Sequence, residues 1–336
     1  MIFGTNLTSD IQKILFQKNT FAVTDENVAS LYPELFEPAR TVVLTPGESN
    51  KNIDTVASVC AFLATSGADR HSVLVAVGGG VVGDITGFAA SMYMRGIAWQ
   101  LVPTTLLALC DSSVGGKTGV NLNHIKNMIG AFHFPQEVYL STHFIKTLPD
   151  REFMCGIGEA IKTACLSESV FDFFVKSEAQ IYKKCEKTLE KLVRACAQFK
   201  DKVVTKDPKE TTGLRKILNY GHTAGHAFET ADRGKLSHGE YILHGMRVEN
   251  RMFGDVIDPT FFVESERLIK NALGDSKTEF NVEDSLKAAF SDKKNKDAQI
   301  SVMAVLKPDT YKEMFFSGEE FKSGLVAAFK QINGNT

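Results

Sequence analysis

The sequence predicts two unlike halves: an α/β domain over residues 1–149 and a mainly α-helical domain over residues 150–336. Three observations carry that expectation. Short apolar strands alternate with helical stretches as far as about residue 148, the pattern of a mostly parallel, helix-covered sheet. Leu148-Pro149-Asp150 then breaks the alternation. Beyond it, helical periodicity dominates almost to the end of the chain.

Taken in order, Thr20-Phe-Ala-Val-Thr24 and Thr41-Val-Val-Leu-Thr45 read as strands because β-branched residues crowd both. Glu26 to Phe36 fits a short helix between them, so the chain opens as β-α-β. After a turn at Pro46–Asn50, Asn52 to Gly67 reads as a helix that stops at a glycine. Ser72-Val-Leu-Val-Ala-Val77 is a continuous apolar run, as in a strand buried on both faces. It runs into Gly78-Gly-Gly-Val-Val-Gly-Asp84, after which Ile85 to Met94 looks helical. Ala98-Trp-Gln-Leu-Val102 makes a further strand, stopped by Pro103. In the second half, helices are expected over 151–166, 168–183, 186–206, 220–232, 240–254, 260–273 and 282–290. A strand at Ile300–Val305 and a helix from Gly318 to Ile332 close the chain. The charged side of Lys183–Lys206 reads as a solvated helix face. Such a two-domain arrangement is expected to hold its ligand in a cleft between the halves.

Composition narrows the function. Apolar residues make up 43%, charged residues 23%, and the net charge is −2, so nothing points to nucleic acid or a membrane surface. No apolar run is long enough to cross a bilayer. Met1-Ile-Phe-Gly-Thr-Asn6 lacks the basic and apolar regions of a secretory leader. The six cysteines (60, 110, 155, 165, 185 and 196) form no C-x-x-C pair and are expected reduced, in a cytoplasmic protein.

The densest chemical signal is histidine. In Asn219-Tyr-Gly-His-Thr-Ala-Gly-His-Ala-Phe-Glu229, His222 and His226 stand four apart, one turn above the other on a helix face. His238 follows in Leu236-Ser-His-Gly-Glu240. Three imidazoles this close, among only eight in the chain, point to a metal; the alternative is a helix end with hydrogen-bonded or solvated histidines. A protease-type H-E-x-x-H helix needs Glu after the first His, where this chain has Thr223. The expected ion is a Lewis acid in another reaction, completed by a carboxylate ligand.

Gly78, Gly80 and Gly83 satisfy G-x-G-x-x-G between a strand and a helix, where backbone N–H groups can approach a pyrophosphate. The ordinary dinucleotide fingerprint wants an acid about twenty positions on, and Leu101-Val-Pro-Thr-Thr105 holds none. The loop is either a nucleotide site of different layout or a tight turn. Asp111-Ser-Ser-Val-Gly-Gly-Lys-Thr-Gly-Val-Asn121 and Lys126-Asn127 follow. Gly115-Gly-Lys-Thr118 imitates the end of a P-loop, but Asp111 occupies the position of its first glycine. The stretch suits an anionic, hydroxylated small molecule; the alternative is a charged surface loop.

Together these segments, with Tyr93-Met-Arg95-Gly, Val102-Pro-Thr-Thr-Leu106, Gly158-Glu-Ala-Ile-Lys162, Arg215-Lys-Ile-Leu-Asn219 and His238-Gly-Glu240, resemble the sugar phosphate cyclases. Within them the 3-dehydroquinate synthase branch is the most similar, in order from about Asp25 to Lys294. The resemblance implies conversion of 3-deoxy-D-arabino-heptulosonate 7-phosphate to 3-dehydroquinate and phosphate, in the shikimate pathway. It also implies recycled NAD and Zn²⁺ or Co²⁺. By motif matching Glu159, His222 and His238 would hold the metal, which leaves His226 as an acid/base or substrate contact. Lys162, Arg95, Asp111, Lys117, Asn127, Lys200, Arg215 and Asn219 match substrate positions. Gly79, Gly80, Asp84, Thr104, Thr105, Lys126, Glu48 and Lys51 match cofactor positions, together with Asp25 and Asn27. Lys293 and Lys294 fall in a late lysine motif, and Glu210 in Pro208–Gly213, one residue longer than the family pattern, is a candidate acid/base. Expected partners are a phosphorylated sugar acid and a second copy of the chain, with no nucleic acid and no membrane. The alternatives are a sister cyclase of the 2-deoxy-scyllo-inosose or valiolone type, or a metal-dependent NAD alcohol dehydrogenase.

Overall fold

A six-stranded, all-parallel sheet forms the first unit, Met1–Pro149 together with Gln180–Ala197. A computed structural model describes residues 1–123, 125–274, 280–290 and 299–333. In chain order the unit runs β1 (Ile2–Gly4), α1 (Thr8–Leu15), β2 (Thr20–Asp25), α2 (Glu26–Leu31), β3 (Thr41–Leu44) and α3 (Ile53–Thr65). It continues with β4 (Val73–Gly78), α4 (Gly80–Met92), β5 (Ala98–Pro103), β6 (Lys117–Leu122), β7 (Ile125–Phe132) and β8 (Glu137–Ser141). The sheet order is β1-β8-β5-β4-β2-β3. From β2 the chain moves outward to β3, then returns to place β4 on the other side of β2. The direction of winding therefore reverses between β2 and β4, and a doubly wound sheet binds its ligand outside the strand ends at that point. Asp25 and Gly78-Gly79-Gly80 stand at those two ends.

The strands form where β-branched and aliphatic residues run together: Leu74, Val75, Ala76 and Val77 of β4 are buried on both faces. One face packs against Ile11, Leu15, Val28 and Leu35, the other against α4 with its buried Ile85, and α3, with Val56, Val59 and Leu63 buried, packs on α4. Helix α4 begins at Gly80, five residues before the expected start at Ile85. Packing overrides the poor helix propensity of its glycines. At Gly87 any side chain is excluded, since a Cβ would lie 2.8 Å from the Trp99 ring. The expected helix over Glu26–Phe36 ends at Leu31, because Pro33 starts a separate 3-10 turn. The hairpin β6–β7 occupies the stretch read as a glycine-rich loop.

The second unit, Asp150–Ala179 with Gln198–Thr336, is helix-rich as expected. Its elements are α5 (Asp150–Leu166), α6 (Glu168–Tyr182), α7 (Glu186–Lys206), α8 (His222–Ala231), α9 (His238–Met252), α10 (Pro259–Leu273) and α11 (Val282–Phe290), then β9 (Ile300–Lys307), β10 (Thr310–Phe316) and α12 (Gly318–Asn333). The end of α6 and the start of α7, Gln180–Ala197, group with the first unit. Helix α9 is the axis: Tyr241, Ile242, Leu243, Met246 and Val248 are buried, and α5, α8, α10 and α12 all pack on it. Strand β10, absent from the sequence reading, pairs antiparallel with β9.

Candidate active site

Two of the three histidines stand at the first position of a helix. Gly221, at φ +75, turns the chain into α8 and leaves His222 as its first residue. Ser237 caps α9 by a reciprocal capping box with Glu240, which leaves His238 first in that helix. Glu159 sits within α5. Glycines let these helices touch backbone to backbone. A Cβ on Gly158 would lie 2.5 Å from the Gly239 carbonyl oxygen, and one on Gly239 2.7 Å from the Cys155 carbonyl carbon. On the other side of α9, a Cβ on Gly245 would lie 2.6 Å from the Gly225 nitrogen. These contacts bring Glu159 beside His238, and His222 beside both.

The donor atoms converge. His238 Nε2 lies 3.1 Å and His222 Nε2 3.5 Å from Glu159 Oε1. Two ligands held ~2.1 Å from a tetrahedral ion stand ~3.4 Å apart, so these separations fit an ion between them. The outer ring nitrogens are engaged as well: His222 Nδ1 with the Tyr220 carbonyl at 3.1 Å, His238 Nδ1 with Glu229 Oε2 at 3.3 Å. Each partner accepts from Nδ1–H and turns Nε2 inward, the usual outer-shell arrangement of a metal-binding histidine. His226 lies close, its ring centroid 5.0 Å from that of His222 and 5.7 Å from that of His238. Ring nitrogens of all three histidines fall within 4.8 Å of one another, so distance alone permits either a three-histidine set or Glu159 with two.

The charges favour the carboxylate set. Burial opposes ionisation of Glu159, but Lys162, reinforced by His222 and His238, holds its carboxyl well below the usual range. Lys162 Nζ contacts Glu159 Oε2 at 2.5 Å, with both side chains almost fully buried. Oε1 is thereby turned toward the two imidazoles. Burial also pushes His222 down, keeping it neutral, with Lys162 adding to the effect. His238 is the exception: burial would lower it, yet hydrogen bonds to Glu159 and Glu229 raise it to about 9. A proton bridging two carboxylates marks a place that prefers a cation.

In the first unit the glycine turn borders a small pocket lined by Gly79, Gly80, Asp84, Ser112, Ser113 and Lys117 among others. A connected polar network lies in the same unit. Lys51 Nζ pairs with Asp84 at 2.5 Å and donates to Asn127 Oδ1 at 2.6 Å. Asn121 accepts from the Asn127 backbone at 2.9 Å and donates to Glu48 at 2.8 Å. Glu48, Lys51 and Asp84, expected at cofactor positions, thus share one network with Asn127, expected at a substrate position, and Asn121, the last residue of the quoted stretch, joins it without having been singled out. The sequence reading also passed over Glu229, whose i, i+3 spacing from His226 was its one visible signal.

Other expected positions are placed as follows. Asp111 lies on a single π-helical turn, Ala108–Ser112, a feature frequent at functional sites. Arg95, at φ +69, is exposed after α4, and Asn127 holds φ +53; backbone outliers of this kind gather at ligand sites. Thr104 is buried beside the glycine turn, its N–H bonded to the Gly78 carbonyl, and Thr105 Oγ1 accepts from the Ala108 N–H. The Asp25 carboxylate caps α2 at Val28, and Asn27 lies exposed one residue into that helix. Lys126 is exposed on β7. In the second unit Lys200 is buried on α7, and Asn219 is half-buried just before Tyr220. Arg215 is buried, 3.4 Å from Glu210 and bonded to the Pro208 carbonyl. Lys293 and Lys294 lie outside the described residues.

Comparisons with known proteins identify the family. Residues 41–155 match the family model described as 3-dehydroquinate synthase N-terminal, and residues 156–295 the one described as 3-dehydroquinate synthase C-terminal. The chain is 38% identical over 314 residues to 3-dehydroquinate synthase of Alkaliphilus metalliredigens, covering 90% of this chain and 88% of that one. Among solved structures it resembles 2-deoxy-scyllo-inosose synthase, complexed with carbaglucose-6-phosphate, NAD⁺ and Co²⁺, at 26% identity and TM-score 0.82, over 96% of this chain and 95% of that one. It shares the fold of 2-epi-5-epi-valiolone synthase from Streptomyces hygroscopicus, bound to NAD⁺ and Zn²⁺, at 23% identity and TM-score 0.84, over 93% and 92% of the two chains. With both family models matched in succession, the chain belongs to the 3-dehydroquinate synthase family.

Proposed function

We propose that the chain converts 3-deoxy-D-arabino-heptulosonate 7-phosphate to 3-dehydroquinate and phosphate in the shikimate pathway, with NAD recycled within each turnover and a divalent ion as cofactor. The observation that carries this reading is the Glu159, His222 and His238 convergence in a chain matched by both halves of the family. One carboxylate and two outward-braced imidazoles suit Zn²⁺ or Co²⁺. The glycine turn at the sheet's reversal suits the pyrophosphate of NAD, because Gly79 and Gly80 leave the backbone approachable. When bound, NAD would accept and return a hydride, and the ion would acidify a substrate hydroxyl.

The chain's own residues supply the rest. Lys162 keeps Glu159 ionised and aimed at the ion. His226, beside the two ligands, is placed to move a proton to or from substrate. Arg95, Lys117, Lys200 and Arg215 supply cations for a substrate carrying both phosphate and carboxylate, arginine by bidentate bonds. Lys51, held by Asp84 and Asn127, braces the cofactor pocket. We place the activity in the cytoplasm: all six cysteines are free, and no described helix is long and apolar enough to cross a membrane. A homodimer is proposed as well. Exposed Met92, Met94, Ile125, Met128, Phe132 and Phe134 of the first unit support it, and sedimentation at micromolar concentration checks it.

Supplying the heptulosonate phosphate with trace NAD⁺ tests the activity. Phosphate should accumulate far beyond the NAD⁺ added, without matching NADH absorbance. NADH appearing one-for-one with product would instead support an alcohol dehydrogenase.

A further inference from the structure

A buried carboxylate outside the ligand set faces the start of α8. Glu249, on α9, is fully inaccessible. It reaches the start of α8, where Oε2 accepts from the Gly221 N–H at 2.7 Å and Oε1 from the Ala224 N–H at 3.0 Å. A helix leaves its first N–H groups unsatisfied, and a glycine at the capping position offers no side chain to meet them. A carboxylate from the neighbouring helix does so here.

The Gly221 N–H belongs to the same rigid peptide unit as the Tyr220 carbonyl. That carbonyl is the partner of His222 Nδ1 at 3.1 Å, and His222 Nε2 in turn faces Glu159 Oε1. The adjacent Asn250 accepts from the Tyr220 hydroxyl at 2.7 Å, holding the residue from its other end. Successive residues of α9 thus grip the turn that presents His222. The same helix carries His238 at its first position.

We propose that Glu249 is a positioning residue of the metal centre: by pinning the Tyr220–Gly221 peptide it fixes the tautomer and ring direction of His222. The inference rests on the metal reading above. Two effects act together. The first is geometric: with the N–H of a planar peptide pinned, its carbonyl has one direction, and so does the imidazole bonded to it. The second is electrostatic. The start of α8 carries ~+0.5 of an elementary charge at the residue that would ligate a cation, and a buried carboxylate offsets it. A cap of purely structural value would lower the melting temperature yet leave the metal affinity of the folded protein unchanged.

The test is Glu249→Gln in the full-length, metal-free protein, titrated with Co²⁺ well below its melting temperature and followed by visible absorption. Removal of an outer-shell partner typically weakens metal binding about 10–100-fold, and at least tenfold weakening with an altered band shape is expected. NAD⁺ affinity by calorimetry should stay at the parent's value. A folded variant with the parent's Co²⁺ affinity and spectrum overturns the inference. If the glutamine variant does not fold, Glu249→Asp, which keeps the charge but shortens the reach, is judged by the same two outcomes. Parent protein that takes up no Co²⁺ overturns the metal reading along with this one, a result distinct from a variant that matches its parent.

Discussion

Lys162→Met separates the parts of the metal centre. The parent holds a 2.5 Å ion pair between side chains that are 2% and 1% exposed. Methionine keeps the stem and deletes the charge, leaving Glu159 buried without its main counterion. The folded protein can respond by protonating the carboxyl, and that response sets an upper limit on the cost. Keeping an acid of ordinary value 4.5 neutral at pH 7 takes ~2.5 pH units, or ~3.4 kcal/mol. Breaking a buried pair typically costs ~3–5 kcal/mol, which is compatible with that limit. His238, raised to about 9 between its two carboxylates, retains a proton nearby and offsets part of the loss. The expected destabilisation at pH 7 without metal is therefore roughly 2–3 kcal/mol. In the variant the folded-state value lies above the unfolded one, so the penalty grows with pH and shrinks in acid, to below ~1 kcal/mol at pH 5. Saturating Zn²⁺ restores positive charge beside Glu159 and should recover most of the loss. Urea unfolding at pH 7 and pH 5, with chelator or with Zn²⁺, measures all four values. An equal loss under all four conditions would refute the electrostatic account and leave only packing.

Four further outcomes follow from the same geometry. His238→Ala should lose bound metal by elemental analysis, whereas His226→Ala should retain it and lose turnover; equal metal content in the two would mean the ligand set is misassigned. Gly239→Ala places a Cβ 2.7 Å from the Cys155 carbonyl carbon, so α5 and α9 must part and the fold should lose ~1–3 kcal/mol, with weaker Co²⁺ binding. A parental melt and parental Co²⁺ titration would show that the contact yields freely. Gly80→Val should weaken NAD⁺ at least tenfold in calorimetry, because a Cβ there already meets Ser112 Oγ at 3.2 Å and the two methyls reach further; unchanged affinity would return the loop to a plain turn. His244 is pushed down to about 4, first by burial and then by Arg247, so its neutral form stabilises the fold above pH 6.5. That contribution is lost as pH falls from 6.5 to 4, amounting to roughly 3 kcal/mol. His244→Leu should flatten that limb of the stability curve, and an unaltered slope would exclude His244 as its source.

The sequence was most informative where chemistry and periodicity coincide. Strand β4 is legible because burial on both faces requires an unbroken apolar run, and α6, α7 and α10 because one-sided burial imposes a helical period. The β6–β7 hairpin escapes both signals. Its strands carry glycine, lysine and asparagine, and β7 is exposed on both faces along most of its length. It exists because Gly119 and Gly130 let two backbones meet: a Cβ on Gly130 would stand 3.1 Å from the Gly119 Cα. That information lies in a pair of residues, and no window along the chain contains it as a pattern.

The active site divides in the same way. Histidine spacing pointed to the proposed metal centre, since His222, His226 and His238 are local in sequence. Spacing could not supply Glu159, which the family resemblance contributed and which reaches the centre through the Gly158–Gly239 contact. Nor could it supply Glu229 or Glu249, whose roles depend on which backbone or ring nitrogen they meet. Both metal-facing histidines open their helices, so no preceding helical turn holds them in place. Their direction is set from outside, by Ser237 and Glu240 for α9 and by Glu249 for α8. A centre built at helix starts therefore depends for its accuracy on residues that touch neither ion nor substrate. In such a centre the substitutions most damaging to metal affinity per unit of lost stability should include these supports as well as the ligands.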